Sequence, residues 1–591
     1  MTRWFCLSAL IVLVPCFGAR TCVAAQAQTP APRVAQAHAL TLEGTWAGTL
    51  QAGDTVLHLV LHVTKGDRDS LRATLDSLDQ GVYGIEASSL TRTGSTLKIE
   101  VPSVNASYEG KVSADYHSIE GTWSQGGASL PLIFQRQAHV SNAKKPPGAI
   151  AAAEGVWQGI LDTHGMHFRL QLHISHDAQG QLIATLDSID QGINGFPAAN
   201  VTEKESAIHF DLSAVHGVYD GTLNAAKNVI SGTLQQSGST SVINFKRSDQ
   251  IPELRRPQTP VKPYPYKEIE LTFANAPAGI SLSGTLTLPR GPGPFSAAIL
   301  LVGSGPLGRD EADSGHRPFL ILADHLTRKG IAVLRYDKRG IGKSGGDYDN
   351  STTADFASDT EAALVFLKSR KEIDARKIGI IGHSEGGVIA PMIASRSSDV
   401  AWIVLLAGPA TKGAETLLLQ SDLIARAAGM TDEQVAKSLD FDRQAYMLVR
   451  QEKDRAVLEN KLDDLIKVSG LGPAMPSAVL QRQIHWTSSP WFHYFLDYDP
   501  APALQETKCP VLALSGEKDL QVPPKENLPL LKKALEDGGN KDFQVVELPG
   551  LNHAFQHCYM GVPAESRAIE ETFAPEALSA ISSWIVKHTT P

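Results

Sequence analysis

A serine flanked by glycines lies between two apolar segments of the chain. The motif Gly-His-Ser-Glu-Gly at 382–386 follows the apolar run 378–381 and precedes a second apolar run with helical spacing. A serine on a tight turn from a buried strand into a helix exposes its hydroxyl, and glycines two positions away on either side let the two backbones approach closely. The motif predicts Ser384 as a nucleophile, with Gly382 and Gly386 as the glycines of the turn.

A nucleophilic serine needs a general base, and the base needs an acid that orients it. Asp519 lies in the loop after the apolar run 511–514, and His553 lies in the loop after the strand-like run 543–548. Loops that follow parallel strands meet at one edge of a sheet, and the chain order serine, acid, histidine suits such an edge. We therefore predict Asp519 as the orienting acid and His553 as the base that takes the proton of Ser384.

Neighbouring groups are alternatives for the same two roles. Glu517 is the second candidate acid, but the loop must turn back before it reaches the histidine, which favours Asp519. His557 is the second candidate base, although it lies further from the end of its strand. Four other histidines are assigned to surface, elbow or cap positions: His316, His383, His485 and His493.

Attack of a serine on an acyl carbonyl creates an oxyanion that backbone N–H groups must hold. One donor is the N–H of Glu385, the residue after the nucleophile. The other must come from the loop 303–307, which follows a buried apolar run. Pro306 has no N–H, so Gly305 is the candidate and Leu307 the alternative.

Short runs that are apolar throughout alternate with helical segments in the C-terminal half. Strands buried on both faces have this composition, and their alternation with helices predicts a mostly parallel α/β sheet. The helical segment 354–367 is one of the intervening helices. Two amphipathic strands, at 269–273 and 280–288, come first. The apolar runs are 297–302, 331–334, 378–381, 403–406 and 511–514.

A long segment between the predicted nucleophile and acid, about 410–500, has helical periodicity over 415–428 and 432–465. Its position predicts a helical cap over the substrate pocket. An aromatic group near its end either lines an acyl pocket or packs the cap onto the sheet. Its members are Trp486, Trp491, Phe492, Tyr494 and Phe495.

The N-terminal half contains a duplication at a constant offset of 111 residues. The sequence Glu-Gly-x-Trp at 43–46 recurs at 154–157. The sequence Ala-Thr-Leu-Asp-Ser at 73–77 recurs unchanged at 184–188. Alternating apolar and polar residues between turn signals favour small all-β barrels or sandwiches, and Gly-x-Trp resembles the start of lipocalin-like barrels. We expect these domains at 40–137 and 152–247, either as ligand-binding units or as structural appendages.

A proline-rich linker, 248–266, and a catalytic domain, 267–591, follow the duplication. At the other end, Arg3 precedes an apolar run at 7–14 and small residues at 23–25, which predicts a signal peptide at 1–25 and a secreted or periplasmic protein. No other stretch is long enough for a membrane helix. Removal of the signal peptide would leave two cysteines, Cys509 and Cys558, as separate thiols or as a disulfide. The net charge of −9 gives no electrostatic footprint for nucleic acid.

Several motifs in the same order resemble those of bacterial carboxylesterases of the α/β-hydrolase superfamily, near the branch described as serine aminopeptidase-like or dienelactone-hydrolase-like. They are 301–306, 336–344, 382–387 and 516–522, and the resemblance covers roughly 267–587. It implies hydrolysis of short-chain acyl esters without a metal or an organic cofactor, and the functional hypothesis extends this to medium-chain acyl esters. It leaves the duplicated β domains unexplained.

The first functional hypothesis is a carboxylesterase that acts on small-molecule esters. A serine peptidase with the same three residues is the alternative, and Asp310 with Glu311 would then capture a peptide amine. A third hypothesis is a binding protein with an inactive hydrolase domain. The segment 337–340, Asp-Lys-Arg-Gly, either binds an anion or has a structural role after its strand.

Overall fold

The structure is a computed structural model of the chain. It describes residues 42–52, 55–65, 71–77, 82–87, 89–101, 106–125, 128–136, 151–163, 166–177, 180–190, 193–212, 217–236, 239–248, 255–469 and 477–590. The predicted signal peptide and the first part of the predicted linker lie outside these residues. Among the described residues, no helix combines the length and the apolar character that a membrane span requires.

The first β unit is a nine-stranded antiparallel sheet in which consecutive strands pair, apart from β4 and β5, and the first strand also pairs with the last. Trp46, Tyr108 and Phe134 are fully buried between its faces. The sheet ends at β4 on one side and at β5 on the other. Its strands are β1 Gly44–Ala52, β2 Thr55–Lys65, β3 Leu71–Ser77, β4 Val82–Glu86, β5 Ser89–Thr93, β6 Thr96–Val101, β7 Ala106–Val112, β8 Ser118–Gln125 and β9 Ala128–Arg136.

The second β unit is a closed barrel of eight antiparallel strands. Every strand start lies 111 residues after its counterpart in the first unit, except that one long strand, β13, replaces the pair β4 and β5. The fully buried side chains of Trp157, Phe210, Tyr219 and Phe245 fill its interior. Its strands are β10 Gly155–Thr163, β11 Met166–His176, β12 Leu182–Ser188, β13 Ile193–Lys204, β14 Ala207–Leu212, β15 Gly217–Leu223, β16 Val229–Gln236 and β17 Ser239–Arg247.

The C-terminal unit is built on an eight-stranded sheet in the order β18-β19-β21-β20-β22-β23-β24-β25. The first two strands pair antiparallel, and the strands from β21 to β25 run parallel, which confirms the predicted mostly parallel sheet. The strands are β18 Lys267–Asn275, β19 Ile280–Leu288, β20 Phe295–Leu301, β21 Ala332–Tyr336, β22 Ile373–His383, β23 Trp402–Leu406, β24 Val511–Gly516 and β25 Phe543–Leu548.

Helices cover both faces of this sheet, because strands such as β21, β23 and β24 are buried along their whole length. Side chains of α1 and α11 form the core on one face, and those of α2, α3 and α10 contribute to the core on the other. These five helices are α1 Pro318–Arg328, α2 Thr353–Lys368, α3 Glu385–Ala394, α10 Pro524–Asp537 and α11 Pro575–Thr589.

A helical insertion, which we define as residues 413–497, separates β23 from β24. The periodic segment 432–465 contains two helices instead of one, since α5 ends at Gln451 and α6 begins at Arg455. A short helix, α9 Ala501–Glu506, leads back to the sheet. The helices of the insertion are α4 Gly413–Ala427, α5 Asp432–Gln451, α6 Arg455–Ser469, α7 Ser477–Thr487 and α8 Pro490–Asp497.

The described part of the predicted linker is bound to the C-terminal unit. The guanidinium of Arg256 donates to the carbonyls of Ser314, Arg567 and Ile569. The side chain of Gln258 donates to the carbonyl of Phe573 at 2.7 Å. Residues 255–258 therefore follow the surface of this unit instead of spanning free space.

Candidate active site

Ser384 lies on the turn between β22 and α3, with φ of 53° and ψ of −114°. Non-glycine residues rarely adopt a positive φ, and such strain costs about 1–3 kcal/mol and persists only where the surroundings impose it. Here the conformation of Ser384 is imposed by close backbone packing at the two flanking glycines. A Cβ on Gly382 would lie 1.9 Å from the carbonyl oxygen of Gly386, and a Cβ on Gly386 would lie 2.3 Å from that of Leu301. Both predicted glycines are thus required by close backbone contact.

Asp519 and His553 meet at the same edge of the sheet. Nδ1 of His553 lies 2.8 Å from Oδ2 of Asp519, and both side chains are almost completely buried. The other oxygen of Asp519 accepts the backbone N–H groups of Gln521 and Val522, each at 2.8 Å. These donors fix the carboxylate, which in turn orients the imidazole so that Nδ1 faces Asp519 and Nε2 points away from it.

The second candidates for acid and base have other partners. Oε2 of Glu517 accepts the N–H of Gly550 at 2.8 Å. The half-exposed imidazole of His557 forms ion pairs with Glu571 and Glu576, both at 2.9 Å. The Glu571 hydrogen bond, which outweighs the opposing effect of burial, raises the pKa of His557. The geometry therefore favours Asp519 and His553 over this pair.

Ser384 and His553 line one pocket at the carboxyl edge of the sheet. The pocket has a volume of about 50 Å³. One wall comes from the sheet loops and the other from the helical insertion. The remaining lining residues are Ser304, Glu385, Pro409, Thr416, Leu417, Gln420, Trp486, Trp491, Phe495, Gln521 and Val522.

Two backbone segments beside Ser384 present candidate oxyanion donors. The N–H of Glu385 is in the first turn of α3, where a helix offers no internal acceptor. In the facing loop, Gly305 has a φ of 100°, which glycine adopts without strain. The N–H of Leu307 donates to the carbonyl of Gly305 at 2.9 Å, and the backbone N–H of Gly305 donates to the hydroxyl of Tyr348, so both candidate donors of this loop have a partner.

The aromatic group of the insertion combines the two predicted alternatives, because some of its members line the pocket and another packs in the core. Trp486, Trp491 and Phe495 line the pocket. The ring of Trp491 stacks on that of Phe495, with 4.9 Å between the ring centroids. Phe492 instead points into the core, where its ring contacts that of Tyr446 on α5 at 5.7 Å.

The residues suggested for amine capture are committed to other contacts. Oε1 of Glu311 accepts the N–H of Gly303 at 2.7 Å and lies 2.9 Å from Nδ1 of His383. Asp310 forms an ion pair with Arg335. Glu311 is also buried, so neither carboxylate is positioned to receive a peptide amine.

The segment 337–340 is structural. Asp337 accepts two hydrogen bonds from the guanidinium of Arg309. The side chain of Arg339 is paired with Asp359 at 2.7 Å. Lys338 is buried, and its ammonium is paired with Glu385 at 2.8 Å. No charge of this segment is left for an anion.

His316 is buried, which corrects its expected surface position. Its Nδ1 lies 2.7 Å from the hydroxyl of Thr572, and its Nε2 lies 2.9 Å from the carbonyl of Ser566. Burial, together with the nearby Arg256, lowers the pKa of His316 to about 4. The polar residues that flank position 316 gave no signal for this burial, since the partners of His316 are distant in sequence.

Cys509 and Cys558 are free thiols in the structure. Burial raises the pKa of each thiol to about 12. A thiol that holds its proton so firmly is a poor nucleophile at neutral pH.

Sequence comparisons relate the C-terminal unit to known proteins. A family model described as serine aminopeptidase, S33, matches residues 317–471. The esterase EstD of Thermotoga maritima is 26% identical over 344 residues, which is 58% of this chain and 73% of that protein.

Solved structures also resemble the chain. The Pyrococcus furiosus esterase Pf2001 has 18% identity and a TM-score of 0.34, with 56% of this chain and 92% of that chain covered. The structure of Est1E from Butyrivibrio proteoclasticus with bound ferulic acid has 18% identity and a TM-score of 0.32, with 54% and 100% covered. The parallel sheet, the serine turn after β22 and the two sequence relationships together make the C-terminal unit similar to enzymes of the α/β-hydrolase superfamily.

Proposed function

We propose that this protein is a serine carboxylesterase that cleaves short-chain to medium-chain acyl esters through an acyl-enzyme intermediate. The observation that carries the proposal is the buried contact of 2.8 Å between His553 and Asp519, in a pocket that His553 shares with the strained Ser384. The similarity to an esterase supports the ester as substrate.

In this mechanism Nε2 of His553 takes the proton of Ser384, and the hydroxyl oxygen attacks the acyl carbonyl. Asp519 holds the imidazole in position and stabilises its cation. The N–H groups of Glu385 and Gly305 are the proposed donors to the oxyanion. One such donor typically contributes on the order of 3 kcal/mol to the transition state. His553 then protonates the leaving alcohol, and water releases the acyl group by the reverse sequence of steps.

Two cavities next to His553 suggest where the two parts of an ester bind. The leaving alcohol must face His553, which protonates it, and a smaller cavity on that side is lined by Asn552, Ala554 and Pro563. The acyl group then occupies the larger pocket beside Glu385, with the aromatic side chains of the insertion as its outer wall. The aromatic wall suits an apolar acyl chain.

The helical insertion acts in this proposal as a cap that closes the acyl side of the pocket. The two β units are copies of one domain and serve as accessories to the enzyme, since buried aromatic side chains fill the second barrel and leave a packed core. We further propose that the enzyme acts in the periplasm or outside the cell, on the strength of the predicted signal peptide at 1–25.

A panel of p-nitrophenyl esters of increasing acyl length, compared with a panel of aminoacyl anilides, tests the proposal. We expect turnover of the esters by the full chain and loss of that turnover in Ser384→Ala. A fluorophosphonate probe should label the wild type and not this variant. Turnover of the anilides alone would establish the peptidase alternative, and an unlabelled wild type would establish the inactive binding protein.

A further inference from the structure

The carboxylate of Glu385 is the centre of a buried cluster beside the candidate nucleophile. The side chain of Glu385 is 1% exposed, although the residue lines the pocket. Oε1 accepts the hydroxyl of Thr353 at 2.8 Å and the indole N–H of Trp491 at 2.5 Å. Oε2 accepts the ammonium of Lys338 at 2.8 Å. The carboxylate thus joins three elements that are far apart in the sequence.

Lys338 extends the cluster to the loop that faces Ser384. Besides Glu385, its ammonium donates to the carbonyl of Gly303 at 2.7 Å and to that of Gly305 at 3.3 Å. An ammonium has three donors, and all three have partners here. A buried ion pair is stable only when its hydrogen bonds are satisfied in this way. The pair therefore fixes the backbone of the loop that carries the second candidate oxyanion donor.

Trp491 extends the cluster in the other direction, to the wall of the pocket. It lies on α8 of the helical insertion, and its ring stacks on Phe495 at an angle of 11°. The hydrogen bond to Glu385 fixes the rotation of the indole, because an N–H donor to a carboxylate is strongly directional. The indole face that stacks on Phe495 and the face presented to the pocket are set by the same contact.

We propose that Glu385 is a positioning residue whose carboxylate links the acyl wall at Trp491 to the oxyanion loop through Lys338. Acyl-chain selection and oxyanion stabilisation then depend on one buried ion pair. The inference rests on the proposed esterase function and adds two specific roles: Trp491 sets the acyl length that fits, and Lys338 holds the donor loop.

Three variants separate these roles. Trp491→Phe keeps an aromatic ring but removes the N–H donor together with part of the bicyclic indole, so a comparison with Glu385→Gln is needed to isolate the hydrogen bond. Glu385→Gln places a neutral amide at the centre of the cluster, which keeps one acceptor oxygen and therefore cannot accept from both the indole N–H and the Lys338 ammonium. The double variant tests whether both changes act through the same contact. Matched controls are Glu415→Gln, an exposed carboxylate on α4, and Trp402→Phe, a buried indole on the far side of the sheet.

The experiment measures kcat and KM of the full-length variants on p-nitrophenyl butanoate and octanoate, with thermal unfolding as a check of the fold. We expect Trp491→Phe to change the ratio of the two kcat/KM values by about tenfold, since a hydrogen bond to a charged group is lost. We expect Glu385→Gln to change the ratio by the same factor and to lower kcat on both esters. The double variant should show no larger change in the ratio than Glu385→Gln alone.

Several results would overturn the inference while the esterase function stands. They are an unchanged ratio in Trp491→Phe, additive changes in the double variant, or an equal change in the control Trp402→Phe. If Glu385→Gln fails to fold, the ratio in Trp491→Phe alone decides. A wild type that hydrolyses neither ester would instead overturn the proposed function.

Discussion

A buried histidine next to the candidate nucleophile connects the two loops that carry the remaining chemistry. Nδ1 of His383 lies 2.9 Å from Oε1 of Glu311, and Nε2 lies 2.9 Å from the carbonyl oxygen of His553. Both partners are acceptors, so the doubly protonated, cationic form of the imidazole is the form that satisfies both contacts. Burial opposes this charge, but Glu311 and the His553 carbonyl outweigh it and raise the pKa of His383 above its ordinary value.

We expect His383→Phe to destabilise the C-terminal unit strongly. The substitution leaves the carboxylate of Glu311, which is 2% exposed, with the N–H of Gly303 as its remaining described donor. Removing one partner of a buried ion pair typically costs about 3–5 kcal/mol. For a domain of this size, such a loss lowers the midpoint of thermal unfolding by on the order of 6 °C.

Differential scanning calorimetry of the full chain measures this shift, in the transition that coincides with loss of esterase activity. The matched control is His557→Phe, because His557 also pairs with carboxylates but its side chain is 55% exposed. Exposed pairs contribute less than about 1 kcal/mol, so the control should shift the midpoint little. Adding Glu311→Gln to His383→Phe should recover part of the loss, since the amide is neutral and still accepts the Gly303 N–H.

The pH dependence of the shift follows from the raised pKa of His383. The stability that the ion pair contributes is fully present below the ordinary histidine value of about 6.5 and is lost as the pH rises through the higher value of the folded protein. The difference between wild type and His383→Phe should therefore shrink as the pH is raised. Equal shifts in His383→Phe and the exposed control, or a double variant less stable than the single one, would refute the reasoning.

Three further outcomes follow from the structure. Asp519→Asn should lower kcat by about 10⁴-fold with little change in KM, because the amide favours the wrong tautomer of the base; steady-state ester hydrolysis checks this. Gly382→Ala should abolish labelling by a fluorophosphonate, because a Cβ there would lie 1.9 Å from the carbonyl oxygen of Gly386. Cys509 and Cys558, with pKa values of about 12, should react with iodoacetamide at neutral pH far more slowly than free glutathione, as mass spectrometry of the native protein would show.

Local patterns in the sequence were sufficient to place the chemistry-bearing loops. Runs such as 378–381 and 511–514 are apolar throughout because their strands are buried on both faces. The residues after such strands must lie at one edge of the sheet, which is why Ser384, Asp519 and His553 could be picked out by their positions. The close backbone contacts at Gly382 and Gly386 likewise follow from the motif alone.

Other features depended on contacts that no local pattern encodes. The helical insertion contains a break at 452–454 that its continuous periodicity concealed. The two β units share their strand spacing, yet the first is an open sheet and the second a closed barrel, because the counterpart of β13 is divided into β4 and β5. The barrel closes because β13 pairs with β12 on one side and with β14 on the other. The amino-acid composition of the two segments does not reveal this difference in pairing.

By itself, the sequence determined which residues occupy the loops at the edge of the sheet, because burial of the strands and the glycine turn are encoded by neighbours in the chain. Only the tertiary structure decided which buried charges pair: Glu311 with His383, and Glu385 with Lys338 and Trp491. The physical reason is that an ion pair or a hydrogen bond in a low-dielectric interior depends on distances of a few ångströms between segments far apart in sequence.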